Sequence, residues 1–223
     1  MNWNDLERHF SPARLARYRA ACGGDANKAA TAYAHNMLLA EAMFPMLNVL
    51  EIALRNGIHR RLTKLYGRVD WWDAWAGDPI FSWQTKELAS VKAKLQRRKE
   101  AQTPDKIVAE LTFGFWSSLF NAHFQKELWK DLRLVFPRCS KSQRQRHTIS
   151  SALNQIRDLR NRVFHHEPLL WLTPTLIDLH LLGSEAVGWL DPQLVDWLAG
   201  HDRLPASWDA WQSSQIDPVV PHA

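Results

Sequence analysis

The residues best suited to chemistry lie in one short run, Ile156 to Pro168, which reads Ile-Arg-Asp-Leu-Arg-Asn-Arg-Val-Phe-His-His-Glu-Pro. An apolar-periodic helix enters it, and Pro168 closes it, because the residue before a proline avoids the helical region. The double histidine His165-His166 therefore falls on the last helical turn or just past it, with Arg160-Asn161 upstream. A permanently charged guanidinium, an amide and two imidazoles crowd one helix end.

That set matches cleavage of an RNA strand without a metal. The ribose 2′-hydroxyl must lose a proton and attack the adjacent phosphorus, and the departing 5′-oxygen must gain one. A side chain titrating near neutrality suits both steps, and histidine is the natural choice. Negative charge gathers on the phosphoryl oxygens in between, and arginine matches their geometry. His165 is the leading acid or base, with His166 beside it. Arg160 would stabilise the phosphorane, and Asn161 would orient the backbone or the scissile phosphate.

Geometry sets a condition. Five positions on an ideal helix amount to about 140°, so Arg160 and His165 point apart. Early unwinding before Pro168 would let His165 turn back. A symmetric dimer would bring Arg and His of two copies into one cleft, and would supply a separate base and acid. The residues alone are not specific, since a histidine near the negative end of a helix dipole also has a purely structural explanation. His165-His166-Glu167 is too compressed for a helical metal triad, and the other histidines lack ligand spacing. No phosphate-binding glycine loop and no Gly-flanked nucleophilic serine is present. Neither a metal nor a cofactor is implied.

The elements that must position this end are helical throughout. Met1 to Ala20 reads as a short helix, and Cys22-Gly23-Gly24-Asp25 as a break in which Asp25 caps the next helix. Ala26 to Tyr66 is helical and strongly apolar, with Pro45 expected to kink or divide it. Leu47, Leu50, Leu54 and Ile58 mark a buried stripe. A polar stripe runs beside it through Asn48, Glu51, Arg55 and His59, with Asn56 adjacent. Glu51 and Arg55 are four apart, so they can form an internal pair fixing register, or face the same cleft as the histidines. Trp71, Trp72 and Trp75 pin a loop. Ser82 to Glu100 is a helix with a basic second half. Thr103-Pro104 starts another helix, in which Gly114 permits close packing, continuing with a break to Phe136. Lys141 to Phe164 is the motif helix, with Ile149, Leu153, Ile156, Leu159 and Val163 on its apolar face. Its polar row is Asn154, Arg157 or Asp158, Asn161 and His165. Thr173-Pro174 and Asp191-Pro192 open two further helices, the first ending near Leu182. We expect a helical domain over residues 1–190, and over 191–223 a C-terminal helix and partly irregular tail packed on it by Trp208 and Trp211.

The chain has 223 residues, enough for a substantial core. Its 9 glycines disfavour an all-β fold built on tight turns. Cys22 and Cys139 make neither a disulfide framework nor a zinc pattern. We see no uninterrupted apolar span of membrane length and no signal peptide, and so expect a cytoplasmic protein without a membrane partner. The formal charge is +5 and the pI about 9.4. The excess is clustered: Lys92 to Lys99 holds five Lys or Arg, and Arg138 to Arg146 holds four. These runs are solvated helix faces, or they contact a nucleic-acid backbone through Lys92, Lys94, Arg97, Arg98, Lys141 and Arg144. Most of the 12 tryptophans should be core or interface anchors, leaving a few at most to stack on bases.

The stretch Leu159-Arg160-Asn161-Arg162-Val163-Phe164-His165-His166-Glu167-Pro168-Leu169 resembles the Abi-like (abortive infection) proteins of the HEPN superfamily, whose motif is Arg, a polar residue, a spacer and His. Leu47 to Asn56 is similar to the family's first-half helix, with Glu51, Arg55 and Asn56 at its Glu and Arg-Asn positions. Leu111 to Trp116 is similar to its middle motif. Together the three cover about residues 5 to 182 in the family's order. The resemblance implies an all-α, HEPN-like bundle of antiparallel helices, usually dimeric, with the motif at the dimer groove. It implies metal-independent RNA cleavage in phage defence or as a toxin, with Glu51 and Arg55 holding the motif from the facing helix. Two rivals stand beside this reading. One is a non-catalytic module of the same fold that binds RNA or a nucleotide. The other is an interaction subunit held by an antitoxin or regulatory protein.

Overall fold

Capping chemistry starts most of the helices. Asn2 and Asp5 form a reciprocal box at the head of α1 (Trp3–Phe10), and Ser11 caps α2 (Pro12–Ala21) with Pro12 at its first position. The residues expected to form one helix thus form two, divided at Ser11, whose φ of 67° turns the chain. Asp25 accepts from the backbone N–H of Asn27 and Lys28 and opens α3 (Ala26–Tyr66), which Gly67 closes in the left-handed conformation. The computed structural model describes residues 2–215, and α3 is its spine.

Pro45 neither divides α3 nor ends it: 41 residues run as one helix. Its missing N–H frees the Glu41 carbonyl. Glu41 lies on the exposed side, where water can serve that carbonyl. Because α3 is unbroken, it also contains a stretch of mean hydropathy 1.6 that is long and apolar enough to cross a membrane by length and composition, against the expectation of no such span. Here 39% of that stretch is buried inside the protein. Leu39, Met43, Met46, Leu47, Leu50, Leu54 and Ile58 face the core. Around them pack α2, α8 (Arg146–Phe164), α9 (Leu176–Leu190) and α11 (Leu204–Ser214). The tightest approach is to α9, where a Cβ on Gly183 would overlap the Met46 thioether.

Between α3 and α8 the chain is more broken than its apolar pattern suggests. After a 3-10 turn at Trp71–Trp75 come α4 (Ser82–Arg97), α5 (Pro104–Glu110), α6 (Phe113–Ser118) and the short α7 (Trp129–Leu132). Thr103 caps α5 and Thr112 caps α6, so a second cap interrupts the single helix expected from residue 103. Gly114 has room for a methyl, at 3.6 Å from Thr112 Oγ1 and 3.9 Å from Arg157 Cδ. The close packing expected there occurs instead at Gly183 and at Gly57, 3.0 Å from Val135. The three loop indoles do pin their segment: Trp71, Trp72 and Trp75 are buried and extend through Phe81 and Phe124 in an aromatic stack.

The motif helix α8 begins at Arg146 rather than Lys141, because residues 140–145 form side-chain-bonded turns. Helix α9 is capped by Thr175 and runs to Leu190, past the expected end near Leu182. Asp191 caps α10 (Pro192–Ala199). α11 buries Trp211 against the spine, and residues 216–223 of the expected tail lie outside the described residues. Among the described residues there is no strand, and the protein is all-α.

Candidate functional site

The apolar face of α8 is buried as its spacing requires: Ile149, Leu153, Ile156, Leu159 and Val163 all lie in the core. That fixes the opposite side of the helix outward. Arg160 is placed at the boundary, and Asn161, His165 and His166 are exposed.

The helix end is closed by two nested backbone bonds. His166 N–H donates to Val163 O at 3.2 Å, and Glu167 N–H donates to Arg162 O at 2.8 Å. This is a Schellman turn, whose left-handed position usually falls to glycine. His166 occupies it with φ 56°. A side chain in that conformation is strained, and it persists where surrounding contacts over-determine it. Three contacts do so here. Arg14 of α2 donates to His166 O at 2.9 Å. Asn36 of α3, only 3% exposed, donates to Glu167 O at 3.3 Å and accepts from Leu169 N–H at 2.7 Å. Arg162 pairs with Glu167 at 3.0 Å. The double histidine thus sits on a turn clamped from two other helices.

Early unwinding is not how this helix ends. His165 N–H still donates to Asn161 O at 2.8 Å, so helical hydrogen bonding reaches His165, and the backbone leaves the helical region only at His165 itself, at φ −91° and ψ 7°. Arg160 and His165 therefore keep close to their helical separation of about 140°. The neighbour on the Arg160 side is Phe164, whose ring lies 4.4 Å from the guanidinium carbon. Phe164 in turn meets Phe44 of α3 edge-on, and both rings are about half exposed.

From the facing helix, Glu51 reaches Arg160, with Oε2 3.5 Å from Nε. Both side chains are less than a third exposed. Arg55 does not pair with Glu51 as its spacing allowed. It extends to α5 and donates to Ala109 O at 3.4 Å. The Nε atoms of Arg55 and Arg160 are both buried without a hydrogen-bond partner. Of the two, only Arg160 stands against the Glu51 carboxylate. Asn56 is not part of this group. It lines a separate cavity of about 360 Å³ with Arg60, Arg61 and Asp191. His59 turns toward the indole cluster, accepting from Trp71 Nε1 at 2.9 Å, and burial pushes its pKa below the ordinary value.

The basic runs are partly neutralised by partners. Lys94 and Arg98 converge on Glu110, at 2.6 and 2.8 Å, holding its carboxyl below the usual range. Lys92 lies over Trp72 and 3.9 Å from Asp73. Arg97 is exposed. Lys141 is exposed in the turn before α8, and Arg144 donates to Phe136 O at 3.5 Å. Neither run reaches the double histidine in this chain through any contact among the described residues.

Sequence reasoning missed Asn36, Arg14 and the Phe44–Phe164 pair. An asparagine on the buried face of an apolar helix was a signal for the first, since a buried amide needs partners. Nothing local marks Arg14, whose target lies 152 residues away. Comparison of the chain with protein-family models, with curated proteins and with solved structures finds no match.

Proposed function

We propose that the protein is a metal-independent endoribonuclease of the HEPN type, working as a homodimer that cuts RNA by attack of the 2′-hydroxyl. The observation that carries this reading is the clamped turn. A double histidine is exposed on a strained helix end whose backbone is held by Arg14 and Asn36, about one and a half turns beyond an arginine that Glu51 approaches to 3.5 Å. A structural histidine at a helix end needs no such support, and glycine would fit the turn better. A held backbone that presents solvent-facing imidazoles suits proton transfer to a bound strand.

The same geometry supports reading the protein as a dimer. Within one chain Arg160 and His165 diverge, so one phosphate meets both only if a second copy contributes. The exposed Phe44 and Phe164 rings beside Arg160 offer that copy an apolar contact at the right place. His165 serves as base or acid, with His166 assisting. Arg160 holds the developing charge, and Asn161 orients the strand. Abortive-infection defence, or a toxin's role, is the setting the family resemblance implies.

His165→Ala tests the reading. The side chain is exposed, so the fold should persist, while cleavage of total RNA in the presence of EDTA should cease. A purified variant that cuts as fast as the parent would refute it. Binding of RNA without fragments, by the parent itself, would favour the non-catalytic RNA-binding rival. A parent that is monomeric by light scattering at the concentrations where it cuts would remove the dimer.

A further inference from the structure

We propose that a cavity of about 570 Å³ beside the motif is a nucleobase subsite that takes a base with an exocyclic amino group, adenine foremost. This rests on the RNA reading above and adds to it what the protein would prefer in its substrate. The cavity lies between α4, α6 and α8, and its working residues are Trp83, Gln84, Ser118, Asn121, His123 and Arg157.

Three features point to a base. First, Trp83 is 45% exposed, whereas seven of the tryptophans are buried. It rests against Phe115 with ring centroids 6.2 Å apart and planes inclined by 28°, so the indole is braced and still offers area for stacking. Base–indole stacking tolerates any sequence but favours the larger purines. Second, Gln84 is 3% exposed and half-satisfied. Ser118 spends its only proton on Phe115 O at 2.7 Å, so toward Gln84 it can only accept, and the Gln84 amide nitrogen donates to it at 3.2 Å. That orientation leaves Gln84 Oε1 buried with no partner. A buried acceptor lacking a donor is satisfied by an amino group brought by a ligand, and a small shift of the Gln84 side chain would present it. Third, Arg157 lines the cavity, one helical step of three residues before Arg160. Side chains three apart on a helix are neighbours, so phosphates on successive nucleotides can reach Arg157 and Arg160 in turn. In the free protein Arg157 is held by Asp158 at 2.9 Å, an exposed pair that a phosphate can displace.

Binding is measured in the His165→Ala protein, so that no cleavage intervenes, by fluorescence anisotropy with labelled single-stranded oligoadenylate and oligouridylate. Oligoadenylate should bind more tightly. Trp83→Ala should weaken it by about fivefold or more, the worth of one stacked base. Gly114→Ala should weaken it too, because the new methyl stands in the cavity at 3.9 Å from Arg157 without strain. Gln84→Leu should bring the two oligonucleotides together. Unchanged affinity in both Trp83→Ala and Gly114→Ala overturns the subsite, as does absence of binding by either oligonucleotide; circular dichroism confirms that each variant is folded. If the parent cuts total RNA and these variants cut it with the same base preference, the subsite falls and the nuclease stands. If oligoadenylate binds through Trp83 but the parent cuts nothing, the subsite stands and the nuclease falls.

Discussion

Replacing Asn36 by alanine should loosen the turn that carries the histidines, at a cost that can be worked from its bonds. Two hydrogen bonds are lost, each worth about 1 kcal/mol net. One of them satisfied the Leu169 N–H, and Leu169 is fully buried, so that donor is stranded at a further cost of about 1–3 kcal/mol. The total is roughly 3–5 kcal/mol, which in a domain of this size lowers the melting temperature by roughly 6–20 °C. Urea unfolding gives the first number, and amide exchange at Leu169 shows where it arises. Asn36→Asp sharpens the test. Its carboxylate can accept from Leu169 N–H but cannot donate to Glu167 O, and it would carry a charge at a site only 3% exposed. Burial raises such a carboxyl's pKa, so the folded form binds a proton more readily than the unfolded one. That variant should therefore regain stability as pH falls from neutrality, when the protonated acid can donate to Glu167 O. On the ribonuclease proposed above, cleavage in both variants should drop through kcat while RNA affinity holds. The reasoning is refuted if Asn36→Ala unfolds within about 0.5 kcal/mol of the parent, the range of an indifferent surface change, or if Leu169 exchange is unaltered.

Three other outcomes are expected. His166→Gly should stabilise the protein by about 0.5–1 kcal/mol, since glycine accepts the left-handed turn and the carbonyl bonded to Arg14 is kept; loss of cleavage in this variant would show that the His166 imidazole itself takes part. Gly183→Ala should destabilise by about 1 kcal/mol, near the low end for overpacking because the Met46 thioether can swing aside, and thermal unfolding reads it directly. Stability should fall as pH drops below 6.5: His59 and His180 are held neutral by burial, which outweighs Asp202 opposite His180, so the unfolded chain takes up protons that the folded one refuses. The loss between about pH 7 and pH 5.5 should shrink in His180→Gln, and a urea midpoint flat across that window in the parent would contradict it.

How much of this the sequence could reveal depends on the range of the interaction involved. Periodicity marks the buried faces of α3 and α8 because burial repeats every three or four residues. Asp25 and Thr103 announce helix starts because a cap acts over two or three residues. Thr112 is a cap of the same kind, yet it falls inside an apolar run whose periodicity hides it. Pro45 has less disruptive force than its chemistry suggests, because tertiary packing on both sides of α3 outweighs one missing hydrogen bond.

The site is legible in the same graded way. Arg160, His165 and Glu51 stand out from local patterns, and the structure brings Glu51 to Arg160. Arg55 and Asn56 share its stretch of helix but go elsewhere: Asn56 lies at another azimuth and lines a separate cavity, and Arg55, on the same face as Glu51, extends instead to the Ala109 carbonyl on α5. The basic runs count as free charge until their partners are seen: Glu110 alone engages two of the expected phosphate contacts. What the sequence could not show was the clamp. Arg14 and Asn36 lie 152 and 131 residues from the carbonyls they hold, and neither sits in a pattern that points there. A turn strained at His166 and held from that distance is a place where local preference and global structure disagree. Such disagreements persist at positions the molecule uses, which is why the clamped turn, rather than the motif's letters, carries the functional reading.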